Sequence, residues 1–451
     1  MARPTVLTRP ALADRFAASA RSPGAVLSDE QFGEWFTWRR RASRFGVERI
    51  PLGALRGWCE DPATGNLVHE TGRFFTVEGL SVRSGAPHSW MQPIIQQHEI
   101  GILGLAVKEF DGVLHLLMQA KMEPGNVGLV QLSPTVQATR SNYVGVHRGR
   151  PITHLDYFTQ PGRARVLVDV LQSEQGSWFL HKRNRNMIVE VTEDVPEHPD
   201  FCWLTLAQVR TLLRTDNVVN MDARSVLSCI PEPDGDQGPA LHSTGALLRW
   251  LTDVKARAEL HQQLVALRDI AGWHRTAEAI RHDDGRFFEV IAVEAAAGNR
   301  EVGRWTQPLI APVGPGIAAF LTRVIDGVPH LLVQAKVEAG VRDVAELAPT
   351  FQALPGNFAG QPAHLRPRFL DEVLGAPAAA LRYDSVQSEE GGRFHHATNR
   401  YQVIEVGSGF PLDEPPGFRW VTPGQLRALL LHPYYVNVQA RSLLAGLGAA
   451  C

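Results

Sequence analysis

The chain has 451 residues, of which 44% are hydrophobic and 20% charged, a composition typical of a globular protein of two or three domains. Its 45 basic and 47 acidic side chains give a formal net charge of -2, so the chain has no overall electrostatic attraction for nucleic acid. We expect a soluble cytoplasmic protein with no nucleic-acid or membrane partner, because it contains no bilayer-length apolar run, no signal-peptide core and no CxxC pair.

The first predicted element is an amphipathic helix over residues 28–45, with Ser28 and Asp29 as alternative candidate caps. Strands are then predicted over 73–84, 100–123, 165–174 and 187–193. The second of these is a hairpin, because Asp111-Gly112 favours a tight turn. A closing helix begins near Thr205. Helices flanking mixed strands favour an α+β or α-β-α sandwich.

The same pattern recurs about 215 residues later, which indicates a tandem duplication. Matching strings include GRFF at 72–75 and 285–288, QLSPTVQA at 131–138 with ELAPTFQA at 346–353, and QSEQG at 172–176 with QSEEG at 387–391. The helices recur over about 246–267 and from Thr422, which precedes a proline. The string PEPDGDQGP between the copies has the composition of a linker. We therefore predict four segments: a loosely ordered leader at 1–27, a domain at 28–230, a linker at 231–240 and a second domain at 241–451.

A repeated strand carries one polar face. The string LHLLMQAKME places Gln119, Lys121 and Glu123 at alternate positions, so they share one side of an extended strand. The second copy, LLVQAKVE, keeps the same polar residues, among them Gln334 and Lys336. Solvent exposure explains a charged strand face in either copy. Because both copies keep identical polar residues, a face that contacts a ligand is about as well supported as a face that is merely exposed to solvent.

A second polar cluster lies between two predicted strands. Its cations and amides, which suit an oxyanion such as diphosphate, are Lys182, Arg183, Asn184 and Arg185. A charged surface loop is an equally common reason for such a cluster. In the second copy only the last two persist, as Asn399 and Arg400, so the extra cations belong to the first half. Nearby Trp178 either stacks on a base or fills core.

The loop TRSNYVGVHRG offers a third group of reactive side chains, namely Arg140, Asn142, Tyr143 and His147. Histidine and tyrosine suit proton transfer near neutral pH. The corresponding residues of the second copy are Pro355, Asn357, Phe358 and Pro362. Either the first half carries chemistry that the second lacks, or the loop has drifted. His98 and Glu99 are adjacent and would point apart on a strand, so we predict no metal site.

The strings WMQPIIQQHEIGILG, LLMQAKMEPGNVGLVQLSPTVQATRSNY, HLDYF and LQSEQGSWFLHKRNRNMIVE together resemble the NDP-hexose 2,3-dehydratases of deoxysugar biosynthesis, from about residue 28 to residue 447. The resemblance implies two tandem Nudix-like domains, a homodimer, and dTDP-4-keto-6-deoxy-D-glucose as substrate in pathways that feed antibiotic glycosides. It also implies that both halves bind nucleotide while one keeps catalysis. The Nudix box is absent, so diphosphate hydrolysis is not expected.

The reaction implied by this resemblance begins with removal of the C3 proton, which the C4 ketone acidifies, and the enolate needs stabilising donors. The C2 hydroxyl then leaves, and the enol becomes a 3,4-diketo-2,6-dideoxy sugar, which a 3-ketoreductase consumes downstream. No redox cofactor is required, and the sequence does not support a divalent metal. In this scheme Tyr143 or His147 provides acid and base, Lys121 polarises the ketone, and Glu123 or Glu174 is a rival base.

The binding residues implied by the same scheme form two sets. The first-half substrate set is Gln119, Arg140, Asn142, Gln172, Trp178, Lys182, Arg183, Asn184 and Arg185. In this set residues 182–185 hold the diphosphate and Trp178 the thymine. The ancillary nucleotide site of the second half is Gln334, Lys336, Arg393, Asn399 and Arg400. The competing interpretation is a non-catalytic scaffold or sensor that binds a nucleotide sugar.

Overall fold

The computed structural model describes residues 8–24, 26–85, 89–140, 152–233, 239–297 and 303–450. Within these residues the chain forms helices and mixed β-sheets in two repeated halves. The α+β class and the internal duplication predicted from the sequence are therefore confirmed.

The helices of the first half are α1 (Arg9–Ser19), α2 (Asp29–Ala42), α3 (Asp156–Thr159), α4 (Leu206–Leu212) and α5 (Met221–Leu227). Those of the second half are α6 (Thr244–Arg257), α7 (Leu370–Leu374), α8 (Pro423–Leu429) and α9 (Val438–Ala450). Within the described ranges, no helix has both the length and the apolar character that crossing a membrane demands.

The strands of the first half are β1 (Phe45–Ile50), β2 (Trp58–Glu60), β3 (Leu67–His69), β4 (Thr76–Arg83), β5 (Ser89–Gln96), β6 (Gly101–Phe110), β7 (Val113–Met122), β8 (Val130–Ser133), β9 (Val136–Ala138), β10 (Arg165–Ser173), β11 (Phe179–Leu180), β12 (Arg183–Glu190) and β13 (Phe201–Thr205). Those of the second half are β14 (His261–Val265), β15 (Trp273–Arg275), β16 (Ala279–His282), β17 (Phe288–Ala297), β18 (Arg304–Pro312), β19 (Gly316–Ile325), β20 (Val328–Val337), β21 (Ala345–Ala348), β22 (Phe351–Ala353), β23 (Leu381–Ser388), β24 (Thr398–Glu405) and β25 (Phe418–Val421).

The predicted helix caps are confirmed. Ser28 caps α2, where its hydroxyl accepts from the backbone N–H of Gln31 at 3.2 Å and its own N–H donates to the Gln31 side chain at 2.9 Å. Thr205 and Thr422 form the same capping box at α4 and α8. The helix predicted over 246–267 is wrong at its end, because it stops at Arg257 and the chain continues as β14.

The leader prediction is wrong for the stretch that forms α1. Leu12 and Phe16 on this helix are buried in the first-half core. Ser19 is fully buried, and its hydroxyl donates to the backbone oxygen of Leu114 at 2.5 Å and accepts from the N–H of Leu206 at 2.9 Å. The sequence does not predict this helix because Leu12 and Phe16 are too few large apolar residues to give a clear helical pattern, and distant segments supply its docking surface.

Each half contains a seven-stranded core sheet with the same topology. In the first, the order is β10-β12-β6-β7-β13, with β8 on β7 and β9 on β6; in the second, β23-β24-β19-β20-β25, with β21 on β20 and β22 on β19. The β12–β6 and β24–β19 pairings are parallel. The predicted hairpin turn is confirmed, because Asp111 and Gly112 both have positive φ, at 49° and 80°.

The halves exchange strands. Strand β1 of the first half pairs with β17 of the second, and β14 of the second half pairs with β4 of the first. These strands belong to two smaller sheets, one built around β2–β5 and the other around β15–β18. Each half therefore completes a sheet of the other.

Two buried arginines join the halves reciprocally. Arg224 on α5 donates to the backbone oxygen of Ser388 at 2.7 Å, while Arg441 on α9 donates to that of Ser173 at 2.5 Å. Both arginines are fully buried. Because a buried guanidinium needs partners, these contacts fix the loops that follow β10 and β23 against the opposite half.

Candidate active site

A cavity of about 870 Å³ opens in the first half. Gln119 and Lys121 of β7, and Glu123 just beyond its end, line the cavity. The intervening Met118 and Ala120 are buried in the hydrophobic core. The two-faced strand predicted from the alternating sequence is thus observed, with its polar face toward the cavity.

A glutamine connects the charged groups of this strand. Lys121 Nζ donates to the backbone oxygen of Gln137 at 2.9 Å, and Gln137 Nε2 donates to Glu123 Oε1 at 2.8 Å. Asn220 Nδ2 donates to Gln137 Oε1 at 3.0 Å, which fixes the amide. Glu123 is buried, and its Oε2 has no hydrogen-bond partner among the described residues. The cavity wall therefore holds a cation and a buried carboxylate oxygen without a described partner, joined through Gln137.

A second carboxylate, Glu174, lies on the wall formed after β10. Asn184 Nδ2 donates to its Oε1 at 2.7 Å, and the N–H of Gly101 holds Asn184 by donating to Oδ1 at 3.0 Å. Burial raises the pKa of Glu174, although the charge on Arg441 opposes this. A buried carboxylate with one oxygen unpartnered in the described part of the chain is suited to accept a proton.

Lys182 also lines the cavity. It is buried, and its ammonium donates to the backbone oxygen of Glu99. Burial lowers the pKa of Lys182 to about 8, with the charge on Glu174 opposing and that on Arg393 contributing. The site thus holds a lysine that can change its protonation state close to neutral pH.

Asp222, Glu390 and Arg393 also line the cavity, although the sequence does not predict the first two and places Arg393 in the second-half site. Burial raises the pKa of Asp222 well above its usual value, and nearby carboxylates add to this. Burial raises the pKa of Glu390 to about 7. The available signal is the difference between the repeats, because their counterparts Gln439, Gln175 and Trp178 carry no charge.

The assignment of Arg393 to the second-half site is wrong. Its loop crosses to the first half, where Arg393 Nε donates to Gln97 Oε1 at 3.3 Å and the guanidinium lies 4.3 Å from the centre of the Phe75 ring. The first-half cavity therefore gains a cation from the other repeat.

Two of the predicted diphosphate ligands lie elsewhere. Arg185 forms a two-pronged ion pair with Asp169 near the surface, at 2.7 and 2.5 Å. Arg183 donates to the hydroxyl of Tyr434 in the second half. Side chains alternate along β12, so only Asn184, between these arginines, faces the cavity.

Gln172 and Trp178 also lie away from the cavity lining. Gln172 is fully buried and donates to the backbone oxygen of Leu430 at 2.6 Å, so it joins the halves. Trp178 packs against Phe394 with ring centres 4.6 Å apart. The aromatic rings that do line the cavity include Trp58, Phe75 and Trp305.

The predicted catalytic loop is only partly described. Asn142, Tyr143 and His147 lie outside the described residues, so their roles stay predictions. Arg140 is exposed, next to Thr139, which lines the cavity.

The second half repeats the polar strand in its own core sheet. Lys336 Nζ donates to the backbone oxygen of Gln352 at 3.2 Å, and Gln334 lies half-buried on the same strand face. Asn399 donates to Glu389 at 2.7 Å. Arg400 instead pairs with Asp384 near the surface, at 2.7 and 2.6 Å, and so repeats the geometry of Arg185.

The described ranges contain no cluster of three or more His, Cys, Asp or Glu side chains arranged as metal ligands are. What the cavity concentrates is carboxylates with raised pKa values beside lysine and arginine. This combination defines an enzyme of acid–base chemistry acting on an anionic ligand.

The chain belongs to the NDP-hexose 2,3-dehydratase family, whose model matches residues 29–230 and 244–447. The resemblance noted from the sequence is therefore confirmed, and the two matched regions correspond to the two halves. Three relatives are named dTDP-4-dehydro-6-deoxy-alpha-D-glucopyranose 2,3-dehydratase.

The similarity to these relatives covers nearly the whole of each chain. The protein of Amycolatopsis orientalis is 53% identical over 97% of this chain and 94% of its own length. That of Saccharopolyspora spinosa is 52% identical over 96% and 94%. That of Streptomyces violaceoruber is 48% identical over 92% and 96%.

Proposed function

We propose that the protein is a 2,3-dehydratase of dTDP-4-keto-6-deoxy-D-glucose. The observation that carries this proposal is the convergence of Lys121, Glu123, Glu174 and Lys182 on one cavity. A dehydration beside a ketone needs a base, a donor for the developing oxyanion and an acid for the leaving hydroxyl, and this group supplies all three functions.

In the proposed reaction Lys121 donates to the C4 oxygen and lowers the cost of forming an enolate. Glu123 or Glu174 takes the C3 proton, and the electron pair of that bond enters the enolate. The C2–O bond then breaks and the hydroxyl leaves as water. The resulting enol tautomerises to the 3,4-diketo-2,6-dideoxy sugar. The net change is loss of water, so no redox cofactor is required.

We propose that the anionic nucleotide is held by cations and rings of the cavity. Arg393 and Lys182 are positioned on its wall, and Arg56 and Arg304 line it as well. Charge-assisted hydrogen bonds from guanidinium groups suit a diphosphate. Trp58 and its neighbouring rings offer flat faces on which thymine can stack.

Other parts of the proposal rest on the family. Each half is proposed to be Nudix-like, and the protein to act as a cytoplasmic homodimer in deoxysugar biosynthesis for antibiotic glycosides. Because the diketone product is reactive, a 3-ketoreductase is the expected next enzyme.

The direct test is incubation with dTDP-4-keto-6-deoxy-D-glucose, a 3-ketoreductase and its reduced nicotinamide cofactor, followed by mass spectrometry. Loss of water with reduction of the trapped product supports the dehydratase. Unchanged substrate with tight binding would favour the sensor, and release of dTMP would favour a hydrolase.

The roles predicted for Tyr143 and His147 can be tested in the same assay. Tyr143→Phe or His147→Ala should reduce turnover if either side chain transfers a proton, by about 100-fold or more. Rates near that of the unsubstituted protein in both variants would remove the loop from the mechanism.

A further inference from the structure

We infer that the second half supplies the proton donor of the reaction: Glu390 reaches into the first-half cavity and acts with Glu174 as an acid–base pair. The inference rests on the proposed function and extends it, because it makes the second half part of the catalytic site. It also assigns the acid and narrows the choice of base.

The backbone holds Glu390 in place from both sides. The N–H of Gly125 donates to the oxygen of Gly391 at 2.7 Å, and the N–H of His396 donates to the oxygen of Gly125 at 2.8 Å. A Cβ on Gly125 would lie 1.7 Å from the backbone oxygen of Phe394. Any larger residue at position 125 would therefore push away the loop between β23 and β24, residues 389–397, which crosses to the first half and is called the crossing loop below. The loop is thus fitted to the end of β7.

This fit brings carboxylates together at one point. A Cβ on Gly392 would lie 2.5 Å from Glu390 Oε1 and 3.5 Å from Glu123 Oε1. The absence of a side chain at Gly392 therefore leaves the space that the Glu390 carboxyl occupies. The Oε2 atoms of Glu390 and Glu174 are both buried and lack a hydrogen-bond partner within the described chain.

The second half has an equivalent position, called the mirror site, where Glu389 corresponds to Glu174. There Gln175 takes the place of Glu390, and its amide donates to Glu389 Oε2 at 2.7 Å. Asn399 and the hydroxyl of Tyr401 donate to the other oxygen of Glu389. Glu389 therefore has three donors on its two carboxylate oxygens.

In the first half two of these donors are lost. Glu390 stands where the mirror site has an amide, and Asn186 stands where it has a tyrosine hydroxyl. Glu174 keeps only the Asn184 donor among the side chains that satisfy Glu389. Glu390 and Glu174 line the same cavity, and the charge on Glu174 raises the pKa of Glu390. Because ionising both carboxyls costs more than ionising one, we infer that they share one proton.

The charged groups that influence Glu390 come from several elements: Glu123, Glu174, Lys182, Asp222 and Arg393. Burial raises the pKa of Glu390 to about 7, and Arg393 opposes the rise while Glu123 and Glu174 add to it. Glu174 has the Asn184 hydrogen bond and the charge of Arg441 in its favour. Burial raises the pKa of Glu174 as well, and we assign the shared proton to Glu390 because these two interactions favour the negative charge on Glu174.

This arrangement completes one turnover without an external acid. Glu174 accepts the C3 proton as the C3–H electrons enter the enolate. The enolate electrons then form the C2–C3 double bond while the C2–O bond breaks and the oxygen takes the Glu390 proton to leave as water. The pair has gained one proton and lost one, so transfer between the two carboxyls restores the starting state.

The test is Glu390→Gln, which installs the residue of the mirror site, with Gln175→Glu as the reciprocal control. We expect Glu390→Gln to lower kcat by about 100-fold or more. The Kd for dTDP should stay within about threefold, and the change of kcat with pH around 7 should disappear. Gln175→Glu should keep kcat within about threefold of the unsubstituted protein, because residue 175 contacts Glu389 of the second half and does not line the first-half cavity.

A partial reaction separates a proton donor from a merely structural residue. In heavy water, Glu390→Gln should still exchange the C3 hydrogen of the substrate, because Glu174 is intact, while release of water stops. Glu390→Asp should recover part of the turnover and of the pH dependence. This variant also provides the test if Glu390→Gln does not fold.

Two results would overturn the inference: turnover of Glu390→Gln within threefold of the unsubstituted protein, or equal loss of C3 exchange and elimination together with weakened dTDP binding. An unsubstituted protein that neither exchanges nor eliminates would instead refute the proposed function. Activity of the unsubstituted protein is thus measured first, and the two failures are distinguished.

Discussion

The first-half cavity and its counterpart in the second half share a hydrogen-bonded framework. Gln137 and Gln352 hold equivalent positions and donate to Glu123 and Glu338 at 2.8 and 3.2 Å. In turn Asn220 and Asn437 donate to these glutamines at 3.0 and 2.7 Å. The framework has therefore been kept in both copies since the duplication.

The ionisable groups around this framework differ. The exchanged positions, first-half cavity residue first, are Lys182 and Ala397, Asp222 and Gln439, Glu390 and Gln175, and Arg393 and Trp178. Each exchange places a charge-bearing group in the first-half cavity and an uncharged one in the mirror position. Two of the four first-half cavity residues, Glu390 and Arg393, come from the second half of the chain. The comparison therefore separates the shared framework, which positions a ligand, from the ionisable groups, which can transfer a proton.

The largest expected effect on turnover comes from replacing Lys182 by alanine, the residue that the second half has at the equivalent position, Ala397. Lys182→Ala should lower kcat by about 1,000-fold, because it removes a buried cation beside Glu174. The measurement is the initial rate of trapped product. The second-half control is Lys336→Ala, which removes the counterpart of Lys121 and should change kcat by less than about threefold. Equal losses in both variants would contradict the functional difference between the halves.

The next effect is on stability and concerns Glu346, whose counterpart is Gln131. Ser173 donates to Glu346 Oε2 at 2.6 Å, while Gln131 donates to Ser388 at 2.8 Å. Burial raises the pKa of Glu346 to about 7. The protonated form therefore stabilises the fold at low pH, and this stabilisation is lost as pH rises from 4.5 through 7.

Glu346→Gln should remove that loss. Relative to the unsubstituted protein, the variant is expected to gain about 3 kcal/mol of stability between pH 4.5 and pH 8, because the pKa of Glu346 rises from 4.5 to about 7 on folding. Urea unfolding at the two pH values measures it. Parallel pH dependence of the two proteins would show that Glu346 titrates normally.

A smaller effect is expected at Asp222. Burial raises the pKa of Asp222 well above its usual value, which favours the neutral carboxyl, and Asp222→Asn imitates that form in charge and shape. Turnover at pH 7 should fall by less than about tenfold, in contrast to Lys182→Ala. A loss above 100-fold would mean that the ionised carboxylate takes part in the reaction.

The smallest effects are expected where the halves are alike. Arg185→Ala and Arg400→Ala each break a surface ion pair and should change the free energy of unfolding by about 0–1 kcal/mol. Neither should change the Kd for dTDP by more than about twofold, measured by calorimetry. A tenfold weakening in Arg185→Ala alone would restore this residue as a diphosphate ligand.

The sequence predicts the fold class, the duplication, the hairpin and the caps because each depends on local patterns. The alternation around Lys121 likewise suffices to place three polar residues on one strand face. Residues 182–185 show the limit of such reasoning. They are adjacent in sequence, but side chains alternate along the strand, so Lys182 and Asn184 line the cavity while Arg185 lies near the surface and Arg183 contacts the second half.

Glu390 and Arg393 could not be assigned from the sequence, because nothing local indicates that a loop of the second copy enters the first. The crossing depends on Gly125 and on the buried Arg224, whose partners lie more than 150 residues away. The sequence marks Glu390 and Arg393 only as positions at which the two repeats differ. Their placement in the first-half cavity becomes evident only from the contact between the halves in the structure.

The exchange of β1 and β14 also has a consequence during synthesis. Strand β1 leaves the ribosome about 240 residues before β17, its partner. At typical elongation rates this takes about 10–50 seconds. During that time the first half lacks β14 as well, so its sheet edge at β4 stays open to other chains. Neither of the two smaller sheets can therefore be completed until translation is more than half complete, and either half made alone would lack one strand of its own small sheet.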